Sequence, residues 1–355
     1  MSFPFLGVVV VTFNSTDVIL DCLESLLAAQ GVRLAIAVVD NASVDDTTGL
    51  IRAWASGERP YVPADDLPFA LRPAPKPLRL LAERDPLPNE GHSVALIETG
   101  LNGGFAAGVN RGLAYLAGFP EIERFWVLNP DSAVPPETPR AVVEAPGGFG
   151  LMGGRVLYLD TPDRIQIDGG TINRLTGVTG NSGLGRSHAA TPAPDPAALD
   201  FITGASMVVS RTFYEAAGPM KEDYFLYYEE VDWALRRGNL PLAYCPQAIV
   251  YHRAGTAIGS PTLGRPASPF SLYFKHRGRM RFLRRFFPWS LPAGLAYSLA
   301  KAGQLAARGY GREAWTIMAG SLGLPPPASV RARLAPEAQA LAFGRPKAQM
   351  RPETR

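Results

Sequence analysis

Two cysteines in 355 residues, Cys22 and Cys245, exclude a disulfide framework, and neither has the neighbours of a metal-ligand set. The chain carries no sign of an oxidising compartment. Long apolar runs are missing too. The N-terminal MSFPFLGVVVVTFN is too short to cross a bilayer and lacks a basic leading region and a small-residue cleavage site, so it reads as a first strand. Charged residues are slightly scarce at 19%, and a hydrophobic content of 46% is ordinary, which excludes disordered and fibrous classes. Acid is absent from one whole stretch. Residues 233–312 hold thirteen lysines and arginines and no aspartate or glutamate, whereas residues 1–232 hold sixteen basic and twenty-nine acidic residues. The net charge of +3 thus hides a cationic C-terminal third, a block suited to phosphates on nucleotides, nucleic acid or lipid.

What is present is an alternation of strand and helix patterns. A β-branched run over 7–13 ends at Asn14. A helix capped by Ser15 or Thr16 follows, with Ile19, Leu23, Leu26 and Leu27 on one face. A second strand, 34–39, ends at Asp40 and Asn41, and Ser43 with Asp46 forms a capping-box pattern before a helix over 45–54. This is a βαβ unit and predicts a parallel sheet with right-handed crossovers. Residues 57–93 are proline-rich and unpatterned, as in an inserted surface loop. Further strands are expected at 94–98, 150–158, 201–210 and 242–251, and a helix at 211–217.

Three clusters carry chemistry. In RFWVLNPDSAV the apolar run 125–128 suits a strand buried on both faces, and Asn129, Pro130 and Asp131 emerge at its C-terminal end, the edge where open α/β sheets bind ligands. Those residue types also build plain turns. In LNGGFAAGVNRG, 101–112, a glycine-rich turn opens a helix and could cradle a phosphate or sugar, or serve simple packing. In MKEDYFLYYEEVDWALRRG, 220–238, aromatics stand beside Asp223, Glu229, Glu230 and Asp232, either a functional cluster or acids stabilising a helix start. His252 follows the last strand. Beyond it, 271–312 interleaves aromatics with basic residues, fitting a membrane-surface segment better than a spanning one.

Taken in order, VVVVTFNS, VVDNASVDDT, NGGFAAGVNRG, WVLNPDSAV, FITGASMVVSR and YFLYYEEVDWALR with the downstream His252 resemble the signature of family 2 glycosyltransferases, over roughly residues 8–285. The chain looks most like the bacterial rhamnosyltransferase and galactofuranosyltransferase-like branch. That resemblance implies an α/β GT-A fold, a mostly parallel central sheet flanked by helices with a C-terminal helical extension. It divides the chain into a transferase domain over 1–265, a basic and aromatic helical segment over 266–325, and a partly disordered tail over 326–355.

The resemblance also implies an inverting, metal-dependent enzyme that takes a sugar from a nucleotide-diphosphate donor, dTDP-rhamnose or a UDP-sugar, to a glycan or lipid-linked acceptor hydroxyl. Thr12, Asn14 and Asp40 match positions that hold base and ribose, and Asn102, Gly104, Phe105 and Asn110 belong to the glycine-rich donor motif. Asp131 matches the second carboxylate of the family's Asp-x-Asp motif. Asn129 stands where the first would be, which puts two-carboxylate metal binding in doubt. His252 matches a histidine that completes the site for Mg2+ or Mn2+. Glu230 is the base assigned, with Asp232 and Glu229 as other candidates. A leaving diphosphate needs its charge neutralised by a hard cation, and an acceptor hydroxyl needs a carboxylate to take its proton.

Two other classes stay open: a nucleotide-sugar or glycan binding module without turnover, and a nucleotidyltransferase, although the first strand is followed by no glycine-rich basic loop. Nucleic acid is not an expected partner. The cationic segment predicts a cytoplasmic protein held at the inner face of the membrane by anionic lipid.

Overall fold

The computed structural model describes residues 3–253 and 267–344. From the N-terminus the elements run β1 (Phe5–Thr12), α1 (Ile19–Leu27), β2 (Arg33–Asp40), α2 (Thr47–Ser56), β3 (Leu80–Leu81), β4 (Ser93–Glu98) and α3 (Phe105–Ala117). Next come β5 (Arg124–Leu128), β6 (Ser132–Ala133), α4 (Thr138–Glu144), β7 (Leu151–Tyr158), β8 (Ile165–Ile167), β9 (Gly170–Ile172), β10 (Thr179–Asn181) and β11 (Ser206–Ser210). The chain continues through α5 (Arg211–Ala217), α6 (Glu229–Leu235) and β12 (Leu242–His252). A helical layer closes it: α7 (Pro269–Phe286), α8 (Leu291–Ala307), α9 (Gly311–Leu322), α10 (Ala328–Arg331) and α11 (Pro336–Phe343).

Ten strands form one mixed sheet in the order β3-β4-β2-β1-β5-β11-β7-β12-β6, with β8 paired to β7. The half built from β3, β4, β2, β1 and β5 is entirely parallel. β11 then runs antiparallel to both β5 and β7. Seven of the eight residues of β1 and of β2 are buried, as expected of strands covered on both faces. One face of the sheet packs Val9, Val39 and Val127 under Leu113 and Leu116 of α3, and the other packs Val8, Val10 and Val38 under Leu23, Leu26, Ile51 and Trp54 of α1 and α2.

Local starts differ from the sequence pattern. Neither Ser15 nor Thr16 caps α1, which begins at Ile19 with no side-chain cap; the Ser15 carbonyl accepts from Val18 and Ile19 instead. Ser43 does not close a capping box on α2 but donates from its backbone and its hydroxyl to Asp40. The proline-rich segment is not wholly irregular, because Leu80–Leu81 adds a short edge strand to β4. In the part of the expected tail that is described, α10 and α11 are helices packed on α7 through Val330, Leu334, Ala338 and Ala342. The expected boundary at 265/266 and residues 345–355 lie outside the described residues.

Candidate active site

β1, β2 and β5 all end at the same edge of the sheet, so the loops carrying Phe13, Asn41 and Asn129 converge there by parallel pairing alone. They open onto a cleft of about 660 Å³ whose far wall is built by residues 225–231 and by the first turns of α7. That volume suits a ligand of nucleotide-sugar size.

Asp131 and His252 are 121 positions apart and meet because β12 pairs antiparallel with β6, setting His252 opposite Ser132. The His252 Nε2 lies 2.9 Å from Asp131 Oδ1 and 3.1 Å from Asn129 Nδ2, while its Nδ1 lies 2.6 Å from Gln166 Oε1. With the amides oriented so, Nδ1 carries a proton donated to Gln166, and Nε2 presents its lone pair. The Asp131 oxygen and the His252 Nε2 stand 2.9 Å apart, close enough to share one cation. A carboxylate, an imidazole fixed by a second partner and an amide form a donor set that fits a divalent cation. Among the described residues no group of three or more His, Cys, Asp or Glu side chains is placed to hold a metal, so protein ligands alone leave such an ion open to further oxygens.

On the far wall, three left-handed non-glycine residues, Phe225, Tyr227 and Tyr228, bend the chain into α6. Such backbone costs free energy and persists where surroundings over-determine it. Here Phe225 stacks on Phe274 with centroids 5.1 Å apart, the Tyr227 hydroxyl bonds Ser271 at 2.7 Å, and the Tyr228 hydroxyl donates to the Gly177 carbonyl at 2.6 Å. Gly104 completes the clamp. Its φ of +89° suits glycine, and any Cβ there would meet the Phe225 carbonyl at 2.2 Å.

The N–H groups of the glycine-rich turn are engaged within the protein in this structure. Gly103 and Gly104 donate their N–H groups to Asn41 and Asn102, and Phe105 donates to the Phe225 carbonyl, so three successive donors are used inside the protein. Asn41 ties this turn to β2 through a 2.9 Å bond to the Gly104 carbonyl.

The acidic cluster divides by environment. Glu229 is 2% exposed, its Oε2 has no hydrogen-bond partner, and burial followed by the adjacent Glu230 charge holds its carboxyl well above the ordinary range. Glu230 is less buried and lines the cleft. Burial raises it too, while backbone N–H groups and Lys275 pull it back down. Of the pair, the deeper Glu229 is raised further, because the Glu230 charge adds to its burial. Asp232 faces elsewhere. It is fully buried, accepts from the Tyr224 hydroxyl at 2.9 Å, and pairs with Arg236 at 2.8 Å and with Arg285.

Of the expected donor residues, Asn102, Gly104, Phe105, Asn129 and Asp131 line the cleft. Thr12, Asn14, Asp40 and Asn110 do not. The Thr12 hydroxyl donates to Asp40 at 3.0 Å behind the cleft wall, Asn14 accepts from the Val44 N–H, and Asn110 latches α3 to Met220 and Glu222. Gln166, Lys275 and Arg333 join the site without having been singled out in the sequence. Nothing in the strand pattern marks Gln166. Lys275 sits in the basic segment, whose charge was read as facing lipid.

Residues 7–63 match the family model "Glycosyl transferase family 2". A low-salt glycan biosynthesis hexosyltransferase of Haloferax volcanii is 26% identical over 162 residues, 44% of this chain and 50% of that protein, so the match spans about half the relative's length. In fold the chain is similar to a mannosyltransferase from Pyrobaculum calidifontis solved with GDP-Man and Mn2+, with a TM-score of 0.50, 16% identity, and 91% of this chain and 87% of the other covered. It is likewise similar to GalNAc-T7 solved with UDP, GalNAc and Mn2+, with a TM-score of 0.52, 12% identity, and 85% and 51% covered. The fold is the GT-A fold, with a C-terminal helical region added.

Proposed function

We propose that this protein is a family 2 glycosyltransferase that moves a sugar from a nucleotide-diphosphate donor to an acceptor hydroxyl, with inversion at the anomeric carbon. One observation carries the reading. The Asp131–His252 pair, fixed by Gln166, and Glu230 line one cleft. The first can hold charge where a diphosphate leaves; the second can take a proton where a hydroxyl attacks. The family match over 7–63 and the hexosyltransferase relative support the same class.

Asp131 and His252 would hold Mg2+ or Mn2+, and such an ion, when bound, neutralises charge developing on the leaving diphosphate. Asn129 adds no second negative charge there, and with an ion on His252 Nε2 its amide oxygen, rather than the N–H that faces Nε2 in this structure, would be the atom turned to the site. Glu230 accepts the acceptor's proton, and Glu229 beside it, whose carboxyl burial holds well above the ordinary range, competes less for the role of ionised base. Phe105 and Tyr227 line the same cleft. No second nucleophilic carboxylate is required, as single displacement uses one base.

The finer assignment is a donor of the dTDP-rhamnose or UDP-sugar type, as in the rhamnosyltransferase and galactofuranosyltransferase-like branch. The acceptor is a glycan or lipid-linked sugar at the inner, cytoplasmic face of the cell membrane. A thermal-shift screen of dTDP-, UDP- and GDP-sugars with and without Mn2+ tests the class, since a ligand of the folded state raises Tm. Metal-dependent stabilisation by at least one of them is the expected result. A chain that no sugar nucleotide stabilises at millimolar concentration is not this enzyme.

A further inference from the structure

One side of the cleft is supplied by the C-terminal helices rather than by the sheet. Ser271, Lys275 and Gly278 occur at the i, i+4, i+7 spacing of a single helix face on α7. Both flanking members fix where that face points. The Ser271 hydroxyl bonds the Tyr227 hydroxyl at 2.7 Å, and at Gly278 the helix runs so close to the loop that a Cβ would meet the Tyr227 carbonyl at 2.7 Å. Lys275, between them, therefore faces residues 227–230, and it lines the cleft. No described carboxylate lies within ion-pair distance of its ammonium group. Arg333, which follows α10, lines the same cleft and lies over the Phe270 ring at 5.2 Å. Two cations from separate elements thus stand on the wall that carries Glu230, next to apolar Phe270 and Leu334.

We propose that Lys275 and Arg333 form an anion subsite on the acceptor side of the cleft, and that the acceptor carries a phosphate group close to the hydroxyl that is glycosylated. The inference rests on the transferase reading above and adds the acceptor's chemistry. The geometry sets Lys275 beside the base: the α7 face that carries it is held against Tyr227 on both sides, and Glu230 follows three residues on and lines the same cleft. A lysine beside the base is useful there because a phosphate drawn to it brings a neighbouring hydroxyl within reach of Glu230. Phe270 and Leu334 offer apolar surface beyond the charge, as an alkyl-bearing phosphate would use.

The test uses the full chain, with Mn2+ and the nucleoside diphosphate that stabilises it most, so that the donor's phosphate site is filled. Calorimetry compares three probes: methyl glucoside, glucose 1-phosphate and octyl glucosyl phosphate. Both phosphates are expected to bind at least tenfold more tightly than the neutral glycoside. Lys275→Gln should erase that preference, Lys275→Arg should keep it, and both variants should bind the nucleoside diphosphate as the parent does. Tighter binding of the octyl ester assigns the phosphate to a lipid carrier, and equal binding assigns it to a soluble sugar phosphate; either ranking supports the subsite. Equal affinity for all three probes overturns it. So does a Lys275→Gln chain that loses nucleotide affinity, or one whose pH–rate profile moves while its phosphate preference stays. If no nucleotide stabilises the chain, the transferase reading falls, and the same preference measured in nucleotide-free protein still decides the subsite.

Discussion

Glu229, Glu230 and Asp232 lie within four positions and have three different surroundings, which makes their roles separable. Glu230→Gln keeps size and removes basicity, so donor binding should survive while transfer falls roughly 100-fold or more, the usual scale of a lost general base. Steady-state kinetics beside nucleotide-sugar binding check this, and near-native transfer by Glu230→Gln would remove the assignment. The same carboxylate sets a pH dependence. Burial raises Glu230 above the ordinary carboxylate range, and the base must be ionised to act, so kcat/KM should fall on the acid side at a pH above that range. Removing Lys275, which pulls Glu230 down, should move that limb further up in pH. Across the cleft, Asp131→Ala should abolish metal-dependent donor stabilisation, whereas Asn129→Ala, which removes a neutral donor to His252, should only weaken it. Full turnover by Asp131→Ala in saturating Mg2+ would refute this.

Strands were the part of the fold most legible in sequence. Runs such as VVVV at 8–11 and FWVL at 125–128 can be satisfied only by burial on both faces, and β1, β2, β4, β5, β7 and β12 stand close to where those runs predict them. Helix starts were less legible because Ser15 and Ser43, good caps in isolation, use their hydroxyls elsewhere: that of Ser15 accepts from the Phe13 N–H and that of Ser43 donates to Asp40. The site was half legible. Asp131 and Glu230 announce themselves locally, but Gln166 enters only through its 2.6 Å bond to His252 across β8 and β12, and no local pattern contains that pairing. Asp232 shows the converse. It sits in the most suggestive motif, yet it fastens α6 to α7 through Tyr224, Arg236 and Arg285. Removing one partner of a buried ion pair strands the other charges, so Asp232→Asn should cost about 3–5 kcal/mol in chemical denaturation. Transfer per folded molecule should change little; an inactive but fully stable Asp232→Asn chain would return it to the list of bases.

The cationic third of the molecule meets its surroundings through different residues than its sequence implies. Within 275–285, Arg277 and Arg279 are buried, Phe282 packs on Tyr228, and Arg285 is committed to Asp223 and Asp232, so of its exposed arginines Arg284 is the one left for a bilayer. The exposed surface is on α8 and α9. α8 is built inside out: its buried positions are Gly294, Ser298 and Ala302, with Ser298 bonded to Arg279 and, at 2.7 Å, to Ser321. On α8, Leu299 is 54% exposed, and Trp289 just before it in the chain and Trp315 on α9 are 77% and 56% exposed. Arg284, Lys301, Arg308 and Arg312 are exposed around these side chains, and Glu313 is the only acid in 286–335. Exposed tryptophan and leucine with basic residues and a single acid are the composition of an interfacial surface. At about 1 kcal/mol for each basic residue near anionic lipid, four contribute roughly 4 kcal/mol, enough for reversible attachment. The protein should therefore co-sediment with phosphatidylglycerol-containing vesicles, much less with phosphatidylcholine alone, and less as salt rises. Trp289→Ser with Leu299→Ser, or Lys301→Gln with Arg308→Gln, should each reduce binding about tenfold without lowering Tm, since all four side chains are exposed. Unchanged sedimentation of both double variants would exclude this face. Concentration-dependent dimers that the same variants dissociate, with no vesicle binding by the parent, would assign it to a second copy of the chain instead.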